Sequence, residues 1–180
     1  MTDKSPAIIY VHGGPPRQML LGWHYSSYYS NGYAVNQYLA SQGFIVLSVN
    51  YRLGIGYGYE FHRPVDGGTR GASEYKDVKA AALWLAKQDF VDNKKIGIYG
   101  GSYGGFMTFM AMFKEPELFA AGAALRPVTD WAHYNHGYTS NILNTPEVDP
   151  ENAVLQRGPS KTSGRTLPLR GRLPLRTAST

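Results

Sequence analysis

Gly100-Gly101-Ser102-Tyr103-Gly104 is the stretch with the clearest chemical capacity, because small residues on both sides of a serine permit the tight strand-to-helix turn that presents a nucleophilic hydroxyl. Its surroundings suit that turn. Ile96–Tyr99 is apolar and β-branched ahead of it, and Tyr103–Phe113 has helical character after it. A second loop, His12-Gly13-Gly14-Pro15, follows the apolar run Ala7–Val11. Serine attack on a carbonyl builds negative charge on the former carbonyl oxygen, and backbone N–H groups already aimed there stabilise it without reorganising. A backbone N–H of this loop and that of Tyr103 are the expected donors, and His12 is read as a loop residue.

A serine hydroxyl needs a general base, normally a histidine oriented by a carboxylate, in the chain order Ser, Asp or Glu, His when the serine sits on such a turn. Only His133 and His136 follow Ser102. They fall directly after the next strand, too early for that base, and are assigned to the surface or the pocket lining. Asp130 and Asp149 read as surface or turn residues. The sequence offers no Asp or His partner for Ser102.

The elements that must position these residues alternate. Strands are expected at Ala7–Val11, Phe44–Asn50, Ile96–Tyr99 and Ala120–Leu125, and helices at Tyr33–Gln42, from Ser73 onward, and at Tyr103–Phe113. Gly43 should close the first helix. In the second, Tyr75, Val78, Ala82 and Leu85 recur on one face. Residues 53–71 are glycine-rich and read as a surface crossover. This pattern predicts a mostly parallel sheet with helices on both faces, an α/β-hydrolase fold. Residues 1–153 are expected to form that domain, and residues 154–180 a basic, low-complexity, disordered tail.

Net charge is +5, but residues 155–180 carry six basic side chains and no acidic one, while residues 1–154 are close to neutral. Arginines without helical period and without aromatic neighbours argue against a nucleic-acid partner. Gly54-Ile55-Gly56-Tyr57-Gly58 is not a dinucleotide fingerprint, the histidines lack metal-ligand spacing, and there is no cysteine. No cofactor and no metal are expected. No apolar run is long enough to span a bilayer, and the N-terminus does not read as a signal peptide. Localisation stays open.

The chain resembles the catalytic domain of the prolyl oligopeptidase family of serine peptidases, S9, near its dipeptidyl-peptidase IV and acylaminoacyl-peptidase branches. The match is carried by Tyr10–Pro15, Asn50-Tyr51-Arg52 with Gly56-Tyr57-Gly58, Phe90–Ile98, Gly100–Gly105, and Pro127–Trp131 with Tyr134 and Tyr138. The resemblance implies Ser102 as nucleophile, Gly14 and Tyr103 as oxyanion donors with Gly13 as a further one, a peptide substrate, and a pocket walled by Tyr103, Val128, Trp131, Tyr134 and Tyr138. It covers about residues 7–153. The expectation is therefore a domain truncated at both ends, without the family's β-propeller and without the strands that carry the triad Asp and His. A shifted reading frame is the expected origin of the tail, and an inactive fragment the expected state of the chain. An open sheet edge predicts poor solubility or self-association. The alternatives are an esterase on the same fold and a non-catalytic domain whose basic tail binds anions.

Overall fold

The computed structural model describes residues 4–68, 73–131 and 133–139, with the His136 side chain excepted. Four parallel strands form one sheet in the order β2-β1-β3-β4. β1 is Ser5–Val11, followed by helix α1, Ser27–Ser41, and β2, Ile45–Val49. A single-turn helix α2, Tyr59–His62, then precedes α3, Ser73–Ala86. β3, Val91–Gly101, runs into α4, Tyr103–Lys114, and β4, Ala121–Leu125, and the short α5, His136–Tyr138, complete the order.

Alternation along the strands explains the layers. Ile9 and Val11 on β1 and Ile96 and Ile98 on β3 are buried, together with Val78, Ala82 and Leu85 of α3 and Met107 and Ala111 of α4. Each of the Val, Ile, Leu and Met side chains contributes roughly 1.5–3 kcal/mol by leaving water. Tyr10 and Tyr99 point to the other face of the sheet, where α1 lies. There Tyr99 donates to Asn36 of α1 at 2.6 Å, and Asn36 donates to Ser48 of β2 at 3.1 Å. Helices thus cover both faces.

Arg52, just beyond β2, forks onto Asp77 of α3 at 2.7–3.1 Å and also donates to the Ser73 carbonyl. The planar guanidinium suits this two-oxygen grip. It fixes the start of α3 against the end of β2.

The departures from the sequence expectation are local. α1 begins at Ser27, six residues earlier than its apolar period indicated, because its first turns are tyrosine-rich. β3 begins at Val91, since Ser5 pairs with Val91 and a register irregularity precedes the Ala7–Ile96 pair. The charged residues 92–95 hid that extension from a hydrophobicity reading. The glycine-rich crossover contains α2, and its residues 69–72 lie outside the described set. Gly43 does close α1, with φ at 89° just after the Gln42 cap. β4 lies at one edge of the sheet, and all its residues except Ala124 are exposed. The expected tail, residues 154–180, and Asp149 lie outside the described residues. Among the described residues no helix is long and apolar enough to cross a membrane.

Candidate active site

Ser102 occupies the single residue between β3 and α4 with φ 58° and ψ −118°, a conformation that non-glycine residues rarely adopt. Close approach on every side explains the glycines around it. A methyl on Gly100 or Gly104 would overlap the Val11 carbonyl, and one on Gly13 would lie 2.8 Å from the Gly101 carbonyl and 3.3 Å from the Ser102 Cβ. The nucleophile turn and the His12–Pro15 loop are therefore pressed together without side chains between them. The Ser102 amide donates to the Leu125 carbonyl at 3.0 Å, tying the turn to the end of β4. Among the described residues neither the Gly14 nor the Tyr103 amide is spent in a hydrogen bond. The Tyr103 amide also opens α4, where the helix dipole favours negative charge.

Two sets of contacts, one half-buried and one buried, hold these residues. The Tyr138 hydroxyl donates to the Gly14 carbonyl. The Tyr103 side chain is fully buried, and its hydroxyl reaches both the Gly68 carbonyl, at 2.9 Å, and the carboxyl of Glu74. Glu74 also accepts from the Gly68 amide and the Ser73 hydroxyl, each at 3.1 Å. Burial pushes the Glu74 carboxyl above its ordinary range, against the pull of these donors. Glu74, an acidic residue of the first turn of α3, is thus the buried partner of the Tyr103 hydroxyl. Glu74→Ala strands three donors and is expected to cost about 2 kcal/mol in urea unfolding, with Glu74→Gln costing less because it keeps an acceptor.

Four of the five residues of the expected aromatic pocket share ring contacts: Trp131 packs on Tyr103, Tyr134 and Tyr138 at ring separations of 5.5, 5.8 and 6.5 Å. Val128 is buried, and Tyr134 is exposed. The cavity next to Ser102, about 490 Å³, lies largely elsewhere. Tyr138 is the one pocket residue that lines it; Gly14, Arg17, Tyr28, Tyr29 and Arg126 form most of the rest. Those four side chains escaped the sequence reading. Arg17 and Arg126 sit in loops, and the tyrosine pair Tyr28-Tyr29 at the start of α1 was the one available signal.

His133 is exposed and pairs with Asp130 at 2.6 Å, as befits a surface residue. Among the described residues no hydrogen bond joins the Ser102 hydroxyl to a histidine, and no group of acidic and histidine side chains is arranged to hold a metal ion.

The sequence model of the prolyl oligopeptidase family matches residues 30–161. A probable dipeptidyl-aminopeptidase B from Botryotinia fuckeliana (strain B05.10) is 35% identical over 150 residues, covering 82% of this chain and 15% of its own length. The chain thus spans less than a fifth of that relative. Among solved structures, a putative dipeptidyl aminopeptidase IV from Bacteroides ovatus ATCC 8483 superposes with a TM-score of 0.70 at 34% identity, over 85% of this chain and 21% of that one. Porphyromonas gingivalis dipeptidyl peptidase 4 gives 0.70 at 30% identity, over 86% and 21%.

Proposed function

The chain belongs to the prolyl oligopeptidase family, and on that premise we propose that it carries the nucleophile of a dipeptidyl-peptidase-like serine peptidase. In this reading the Ser102 Oγ attacks the scissile carbonyl carbon and its proton passes to a general base. The tetrahedral oxyanion forms against the amides of Gly14 and Tyr103, then collapses, expelling a protonated amine and leaving an ester on Ser102 that water hydrolyses. The observation that carries the reading is the strained Ser102 backbone pressed directly against the glycine loop whose amides are free. Among the described residues Ser102 has no histidine partner, and on this reading the chain alone turns over peptides at little above background, since loss of a triad base costs several orders of magnitude. The aromatic cluster around Trp131 is the proposed holder of the side chain preceding the scissile bond, through apolar burial and ring stacking.

Oxyanion stabilisation alone leaves residual reactivity well above that of a free serine. A prolonged incubation with a fluorophosphonate, read by peptide mass mapping, is therefore expected to place a slow adduct on Ser102 and on none of the other eleven serines. Ser102→Ala should show no adduct. A folded sample that reacts at several serines equally, or not at all, would remove the support for Ser102 as nucleophile. Rapid labelling that His133→Ala or His136→Ala abolishes would instead show that the chain holds its own base.

A further inference from the structure

Among the described residues, the cavity beside Ser102 is bordered by two guanidinium groups and no carboxylate. Arg126 follows β4, and its guanidinium lies 4.7 Å over the Tyr28 ring. Arg17 lies against Gly14, where a Cβ would come within 2.9 Å of its Cγ. Its guanidinium donates to the Pro16 carbonyl at 2.9 Å. Tyr28 and Tyr29 of α1 line the same cavity as both cations. Among the described residues neither cation is paired with an acidic side chain, whereas Arg52 and the lysines 76, 79 and 95 all are. Arg126 has a second peculiarity. Its φ is 38°, in the left-handed region that favours glycine. A bulky cation held there, at the rim of a nucleophile's cavity, is a cost to stability that points to a use for the side chain.

We propose that Arg17 and Arg126 form a carboxylate cradle, so that the peptides bound at this site carry an anionic group close to the scissile carbonyl. This names the substrate class of the reaction inferred above and rests on it for the position of the bond, but not for the binding itself. Two forked cations in a cavity without competing acids bind a carboxylate through charge-assisted hydrogen bonds and repel amines. The carboxylate is either the peptide's C-terminus or an acidic side chain.

The test is binding to the full chain bearing Ser102→Ala, so that no turnover intervenes, followed by calorimetry with four acetylated tripeptides. Acetyl-Ala-Pro-Ala is compared as acid and as amide, and acetyl-Ala-Pro-Asp-amide is compared with its Asn counterpart. The expected result is a preference for a carboxylate of about tenfold or more at low salt, shrinking as ionic strength rises. Preference within the first pair identifies a C-terminal carboxylate, and within the second an acidic side chain. Arg126→Gly suits the left-handed backbone, so it should keep or raise the melting temperature while removing most of the preference. Arg17→Gln should weaken the preference as well. Equal affinities within both pairs, a preference that survives both substitutions, or no binding by a folded sample would each overturn the proposal. The fluorophosphonate adduct separates the two readings. A Ser102 adduct with charge-blind binding sinks the cradle alone, and charge-selective binding without an adduct sinks the reaction alone.

Discussion

Gly104→Ala is expected to lower the melting temperature by about 10 °C or more, whereas Gly22→Ala is expected to change stability hardly at all. The methyl on Gly104 would overlap the Val11 carbonyl and sit 2.8 Å from the His12 carbonyl. Both are backbone atoms, so no rotamer change relieves the clash. α4 would have to lift from β1, which would open the buried contacts of Met107 and Ala111 and break the juxtaposition of Ser102 with the glycine loop. Overpacking of a flexible core costs typically 1–3 kcal/mol, and a rigid backbone clash exceeds that range. Against a total of roughly 5–15 kcal/mol for a natural domain, a loss of more than about 3 kcal/mol is decisive. Gly22 has nothing within 4 Å of its added methyl, so it reports the effect of substitution as such. Thermal unfolding followed by circular dichroism distinguishes the two. A Gly104→Ala protein that melts within a few degrees of the parent would mean that α4 does not approach β1 this closely, and the proposed oxyanion geometry would fall with it.

This close approach explains why the strand-to-helix turn at Ser102 was legible in the sequence. Its requirements are local: small residues next to Ser102, a short apolar strand before it, a helix period after it. The same holds for the α3 face of Tyr75, Val78, Ala82 and Leu85, all buried as their spacing indicated. What the sequence concealed depends on contacts between distant segments. Glu74 looks like an ordinary acidic residue of a first helical turn, and only the packing of α3 against α4 brings it to the Tyr103 hydroxyl. Arg17 and Arg126 are separated by more than a hundred residues and share no periodicity. They line one cavity with Tyr28 and Tyr29, which stand on the first turns of α1 that the apolar pattern did not reach. The aromatic residues after β4 were legible as a set. The structure packs them mainly on one another and gives the space beside Ser102 to the arginines.

His12 was read from sequence as a plain loop residue, and its environment makes it the strongest expected source of acid sensitivity. It is wholly buried, with its ring stacked 4.3 Å from Tyr51, and its Nδ1–H donates to the Gly13 carbonyl at 2.7 Å. Its Nε2 has no partner among the described residues. Burial pulls its pKa from 6.5 down to about 4, with the positive charges of Arg17 and His24 adding to the effect and the Gly13 hydrogen bond opposing it. The sign follows from proton counting. Between pH 6.5 and about 4 the unfolded chain takes up a proton on His12 that the folded chain refuses, so stability present above pH 6.5 is lost as pH falls toward 4. The gap corresponds to about 3 kcal/mol. Glu74 works in the opposite direction, because its raised pKa makes the folded state the better proton binder as pH falls. Subtracting the curve of His12→Gln from that of the parent removes the Glu74 contribution, which both proteins share. Urea unfolding at a series of pH values should therefore show a difference between them that falls by about 3 kcal/mol from pH 7 to pH 4. Since the Tyr51 hydroxyl donates to the His12 carbonyl at 2.7 Å, charging the ring loosens the column that supports the oxyanion loop. The rate of fluorophosphonate addition to Ser102 should decline over the same interval in the parent protein more steeply than in His12→Gln. A difference curve that stays flat would mean that water reaches the ring, and that His12 does not keep the glycine loop in place by staying neutral.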